Sequence, residues 1–306
     1  MSRARAGILA ILAILAVLAI LALLPGCSRR EKLRYTPRSE EREERQEQAE
    51  QQAERLQISA SEVDPEHANK GPVDAVAARQ ALLSAYPDCI SAISGNSIVM
   101  ANGERIPFDD GKAKDWQTLL DEGDAEDMFF IPYSSRRGTP LYLNDAGRSR
   151  CEALFRAMYG NSEAAVRRNC ETVDWFGQKV LFASPNGAAD SLRAVAREIK
   201  GHPELMKYVK SSGTLYWRPV RGAKRMSAHS YAIAFDIAVA YSDYWQWNAG
   251  TNKELARVQY KNRFPRKLVD IFERHGFIWG GAWYHYDTMH FEFRPELLRY
   301  AAAVGA

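Results

Sequence analysis

From Val76 onward the apolar residues recur in short blocks whose spacing alternates between helical and extended periods. "AARQALLSAYP" predicts a short helix, and "SIVMANGERIPF" a β-hairpin turning at Asn102-Gly103. Helical spacing covers 145–159 and 162–170. "QKVLFAS" reads as a strand, and an amphipathic helix over Ala188–Lys200 follows the Pro185-Asn186-Gly187 turn. Phe264–His275 reads as another helix, with Pro265 in its first turn and Gly276 just past its end. "FIWGG" and "MHFEF" then read as strands. Short strands with segregated helices predict an α+β domain over 76–306, a small antiparallel sheet flanked by helices. No internal repeat interrupts it.

Before Val76 the pattern changes twice. Ser28 to about Asp74 is rich in Glu, Gln and Arg and nearly free of large apolar residues. Such a stretch buries too little surface to fold alone, so 27–75 reads as a disordered or partly helical tether. No sustained apolar seam supports a coiled coil. At the N-terminus, two arginines precede about 18 apolar residues that close on Leu24-Pro25-Gly26-Cys27. This is the layout of an export signal over 1–26, and a Cys after small residues resembles the lipobox of bacterial lipoproteins. That resemblance implies lipidation of Cys27, a membrane anchor facing the periplasm, and, with Ser28 next, the outer membrane. An uncleaved transmembrane anchor is the alternative, since the run is long enough to span a bilayer.

The 306 residues carry a net charge of +3 with no long basic stripe, which argues against nucleic acid as a partner. Export permits disulfides. With Cys27 acylated, Cys151 and Cys170, in adjacent helical patterns joined at "MYGNSE", are the expected pair, and Cys89 stays free.

Within the apolar run "SAHSYAIAFDIAVAY" stands Asp236, seven residues after His229. A buried unpaired charge costs several kcal/mol, so Asp236 needs a cation or a set of donors. Downstream, in "WYHYDTMHFEF", His290 and Glu292 alternate with Phe291 and Phe293. On a strand this puts both polar side chains on one face and both aromatics on the core face. Asp287 falls on the bend entering that strand. Two histidines, one carboxylate and an open fourth position make a catalytic zinc site. His229, Asp236 and His290 supply that set, and Asp287 is left as a general base. By themselves these residues also fit a turn cap and a satisfied core histidine.

The motifs are more specific than the residue types. "SAHSYAIAFD" followed by "WYHYDTMHFEFRP" closely resembles the D-alanyl-D-alanine carboxypeptidase (VanY-like) family of bacterial zinc peptidases. The resemblance, from about Tyr86 to Leu298, implies His229, Asp236 and His290 as Zn²⁺ ligands and Asp287 as the base. "GTLYWRPVRGAKRMS" resembles the family's Arg-bearing segment and implies that Arg218 contacts substrate. Trp217 and Pro219 beside it suggest a fixed side chain, whereas Arg221, Lys224 and Arg225 read as a solvated loop. Two departures stand out: the family's usual Gly is Ala232, and the Asn that often follows the Asp by two is Ala238.

His285 is the alternative ligand to His290, and Glu292 the alternative base. Otherwise Glu292 and Ser227 are candidates for orienting the ligands from behind. The aromatics Tyr241, Tyr244, Trp245 and Trp247 fit a core, with a place on the cleft rim open. Taken with the resemblance, the expectation is a single exported zinc peptidase domain acting on peptidoglycan stem peptides. Release of a terminal D-alanine is the leading reaction. An endopeptidase cutting between L-Ala and D-Glu, or a non-catalytic wall-binding lipoprotein, are the rivals.

Overall fold

Asp74 starts the first helix, α1 (Ala75–Ala85): its carboxylate accepts from the backbone N–H of Val76 and Ala77, each at 3.0 Å. These two bonds satisfy donors that a helix start leaves unpaired. The computed structural model describes residues 73–136 and 138–306. The expected export signal 1–26, Cys27 and nearly all of the tether 27–75 lie outside the described residues. No helix among the described residues is long and apolar enough to cross a membrane.

After α1 come β1 (Ile90–Ser94), β2 (Ser97–Met100) and β3 (Arg105–Pro107), an antiparallel meander with the expected turn after Met100. Then follow α2 (Trp116–Asp121), α3 (Glu152–Tyr159), α4 (Glu163–Arg168) and the hairpin β4 (Cys170–Trp175)–β5 (Gln178–Ala183). The chain continues through α5 (Ala188–Ile199), β6 (Ser211–Gly213), β7 (Ala234–Ile237), α6 (Trp245–Ala249), α7 (Arg266–Arg274), β8 (Phe277–Trp279), β9 (His290–Phe293) and α8 (Pro295–Val304). Mixed helices and small antiparallel sheets make this an α+β architecture.

The sheet that matters for the site runs β6-β7-β9-β8, all antiparallel. Asp236 on β7 pairs directly with His290 on β9, so their side chains share one face. The other face is core. Phe235 meets Trp175 edge-on at 4.8 Å, and Phe291 stacks on Phe272 of α7 at 3.9 Å between ring centres. Alternation along both strands thus drives the aromatics inward and leaves Asp236, His290 and Glu292 on the face opposite.

Three sequence expectations are corrected. Helical spacing over 145–159 yields a helix only from Glu152, and 162–170 ends its helix at Arg168. "CETVDW" is the strand β4, whose Val173 and Trp175 alternate inward and pair with β5. The expected Cys151–Cys170 disulfide is absent: both are free thiols, as is Cys89. Cys151 is buried at the start of α3, while Cys170 opens β4 with its thiol 3.2 Å from the Val166 carbonyl.

Candidate metal centre

His229 stands on a single 3-10 turn, Ala228–Tyr231, just before β7. Ser227 caps the turn, its hydroxyl accepting from the His229 N–H at 3.4 Å. The turn closes with Ala232 in the left-handed region (φ 53°, ψ 30°), a conformation that costs a side-chain-bearing residue about 1 kcal/mol. This is the position where the resembled family carries glycine, and here the backbone accepts the Cβ. Ala238, just after β7, is left-handed as well (φ 55°).

The fold brings His229, Asp236 and His290 together. Asp236 Oδ2 lies 3.1 Å from His229 Nε2 and Oδ1 lies 2.8 Å from His290 Nδ1. One donor atom from each residue falls within 4.8 Å of the others. Each histidine is also held by its other nitrogen. His229 Nδ1 donates to the Thr214 carbonyl at 2.6 Å, and His290 Nε2 lies 2.9 Å from Glu292 Oε1. Such outer partners fix the ring orientation that a metal ligand needs. Glu292 therefore stands behind His290, on the side away from Asp236.

The charges of the cluster follow from burial and neighbours. Burial alone would raise the Asp236 carboxyl, but His229 and His290 outweigh it and hold it well below the usual carboxylate range. Burial would lower His290, yet hydrogen bonds to Asp236 and Glu292 carry it up to about 10. Burial would likewise raise Glu292, and Arg150, His290 and Arg294 keep it ionised. Asp287 goes the other way: burial, then the negative charge of Asp236, pushes it up to about 7. Its Oδ1 is buried without a hydrogen-bond partner.

Asp287 is placed by the turn that enters β9. Its N–H donates to the Gly280 carbonyl at 3.0 Å, and its own carbonyl accepts from the His290 N–H at 3.2 Å. Gly280 has to be glycine, because a Cβ there would sit 2.6 Å from the Asp287 carbonyl oxygen. Ser227, His229, Asp236, Asp287, His290 and Arg218 all line one cavity of about 640 Å³. Tyr244, Trp245 and Trp247 line it too, so the aromatic run serves the cleft as well as the core.

Arg218 is only partly exposed, but it is less fixed than its neighbours suggested. Its Nη1 donates to the Pro219 carbonyl at 3.2 Å and its guanidinium lies 5.3 Å over the Tyr216 ring. Its backbone is tied to the His229 turn through Ser230, whose hydroxyl accepts from Arg218 N at 3.0 Å and donates to Arg218 O at 2.9 Å.

His285 lies with a different set. Its Nδ1 is 2.5 Å from Asp145 Oδ2, with Glu254 next to them. Arg148 already bridges those two carboxylates, at 2.9 and 2.8 Å. A guanidinium in that place satisfies the charges and leaves no call for a cation. Sequence reading missed Asp145, Arg148, Arg150 and Glu254, which come from loops far from the motif, with no spacing signal to connect them.

A carboxylate between two imidazoles, with a second, buried carboxyl lining the same cavity, is suited to metal-assisted hydrolysis. That is the class the site defines. Residues 221–293 match the family model described as D-alanyl-D-alanine carboxypeptidase, the family that the motifs resemble. The match supports a peptidase acting on cell-wall peptides. It contains His229, Asp236, Asp287 and His290; Arg218 lies just before it. No curated protein and no solved structure matches the chain.

Proposed function

We propose that this protein is a zinc-dependent peptidase of peptidoglycan stem peptides, releasing the terminal D-alanine from a D-alanyl-D-alanine end. The observation that carries this reading is the convergence of His229 Nε2, Asp236 and His290 Nδ1, with Asp287 in the same cavity. Those three residues would hold the zinc, and the donor set fits it: two imidazoles whose second nitrogens are already engaged, and one ionised carboxylate. A zinc ion held there would supply Lewis-acid chemistry, acidifying a water and polarising the scissile carbonyl.

The chain's own residues do the rest. Asp287, in the same cavity as the three donors, accepts a proton from the attacking water and can return it to the leaving amine. Arg218, at the rim, pairs with an anionic oxygen of the substrate, either the terminal carboxylate or the oxygen that gains charge during attack. Glu292 and the Thr214 carbonyl hold the two histidine rings from behind, and Ser227 caps the turn that carries His229. We further propose export and lipid attachment at Cys27, which would tether the domain to the membrane, probed by loss of the lipid in Cys27→Ala.

The test is mass spectrometry of stem peptides incubated with the protein, with and without a chelator. Loss of one terminal alanine, abolished by chelation and restored by zinc, is the expected result. Cleavage inside the stem would instead make the protein an endopeptidase. A protein that binds the peptides but never cuts them would be a wall-binding lipoprotein.

A further inference from the structure

The cavity holding the metal donors is also lined by five arginines, Arg148, Arg150, Arg218, Arg221 and Arg225. They differ in which nitrogens are engaged. Arg148 has Nη1 on Asp145 and Glu254 and Nη2 on Glu254, at 2.8 to 2.9 Å. Arg225 has Nη1 on Asp121 at 2.6 Å and Nη2 toward Glu254 at 3.5 Å. Arg221 is exposed, and Arg218 is pinned only by its neighbour's carbonyl.

Arg150 is the exception. Its side chain is 11% exposed. Its Nε lies 3.3 Å from Glu292 Oε2 and its Nη2 donates to Glu292 Oε1. Glu292 is fixed in turn by His290 Nε2 at 2.9 Å and by Arg294 Nη1 at 3.3 Å, all in fully buried surroundings. One edge of the guanidinium is thus locked against the wall that carries the metal-site histidine. Its Nη1 has no partner among the described residues and is not sealed from solvent. A planar fork held along one edge, on a residue that lines the cavity and with one nitrogen left unpaired, is a preorganised anion site.

We infer that Arg150 Nη1 binds a carboxylate of the peptide substrate and sets the depth to which the peptide enters. The inference rests on the peptidase reading and adds a specificity residue from outside the matched segment 221–293. It gives the carboxylate to the rigid inner arginine and leaves Arg218 the oxygen that gains charge during attack. Two carboxylates of a stem peptide have this chemistry, the C-terminal one and a side-chain one.

The experiment uses the zinc-loaded full chain and three versions of one stem peptide: unmodified, amidated at the C-terminus, and amidated at the side-chain carboxylate. Wild type is expected to favour the unmodified peptide over one amide by on the order of 10–100-fold in kcat/KM, the range for a hydrogen bond to a charged group. Which amide is penalised identifies the carboxylate. In Arg150→Gln that preference should collapse, mainly through KM. Arg150→Lys should not restore it, because an ammonium cannot hold Glu292 and reach the ligand together.

Zinc content and chelator competition are read on each protein, since Glu292 loses a partner. Preference surviving in Arg150→Gln, or returning when zinc is added in excess, overturns the inference. If Arg150→Gln does not fold, Arg150→Lys decides alone: full preference in it overturns the inference equally. A wild type that hydrolyses none of the peptides overturns the peptidase reading and this inference with it. Cleavage of all three at equal rates by wild type overturns the inference alone.

Discussion

Zinc binding to this site should release a proton and strengthen steeply with pH. His290 sits between Asp236 Oδ1 and Glu292 Oε1, at 2.8 and 2.9 Å. Burial would lower its pKa, but those two hydrogen bonds carry it up to about 10. Its Nδ1, the nitrogen facing Asp236 and His229, must lose its proton to become a ligand. At pH 7 that proton is held about three pH units below its release point, equivalent to roughly 4 kcal/mol at most. The apparent zinc affinity should therefore rise by up to about tenfold per pH unit between 7 and 9. Competition with a chelator of known pH behaviour measures the slope. Calorimetry at pH 8 in buffers of different ionisation enthalpy should find close to one proton released per zinc. The same group acts on the metal-free fold. Its folded value lies above 6.5, so its stabilising contribution is full below 6.5 and is lost as pH rises through about 10. Glu292→Gln removes one of the two bonds that raise His290, and should flatten the slope. Zinc affinity unchanged between pH 7 and 9, with no proton released, would falsify the assignment of His290 Nδ1 as a ligand.

The remaining predictions concern single residues. Asp287→Asn should keep zinc while kcat falls by roughly 10²–10⁴-fold; turnover near wild type would remove Asp287 as the base. Because the Asp287 carboxyl is raised from 3.8 to about 7, the metal-free wild type loses stability as pH rises through that window. Metal-free Asp287→Asn should then melt above wild type at pH 8, and a lower Tm would contradict the cost assigned to that buried charge. Gly280→Ala should push the Asp287 carbonyl and lower kcat with little change in zinc content, read by metal analysis beside steady-state kinetics; unaltered kinetics would show that the turn tolerates a Cβ. Arg218→Lys should lower kcat more than it raises KM, since an ammonium cannot reproduce the planar donor pair; a pure KM effect would return the carboxylate contact to Arg218.

The site was more legible in the sequence than the fold around it. Asp236 in an apolar run and the alternation of His290, Phe291, Glu292 and Phe293 both follow from the two-residue period of a strand, a local rule. The pairing of Asp236 with His290 follows once β7 and β9 are adjacent. The strand in "CETVDW" went unread because two inward residues, Val173 and Trp175, are too few to mark a period, and the helical spacing before it ran past Arg168 to Cys170. The Asp145–His285 pair and the Arg150–Glu292 pair span 140 and 142 positions. Charged partners that distant leave no periodic trace, because only the folded loops bring them together. The unpaired state of Cys151 and Cys170 was hidden for the same reason.

The opposed placement of Asp236 and His290 has a consequence for how the chain reaches its native pairing. Side chains on a strand alternate faces, so a slip of one residue between β7 and β9 would turn either Asp236 or His290 to the side where Phe235 and Phe291 now pack. Such a misaligned sheet would present one ligand where there should be two. Only the correct alignment gathers both beside His229, so metal uptake at this site would select that alignment from its neighbours. The ion would act as a proofreader of β-strand registry, and folding with zinc present should yield fewer misaligned, aggregation-prone molecules than folding without it.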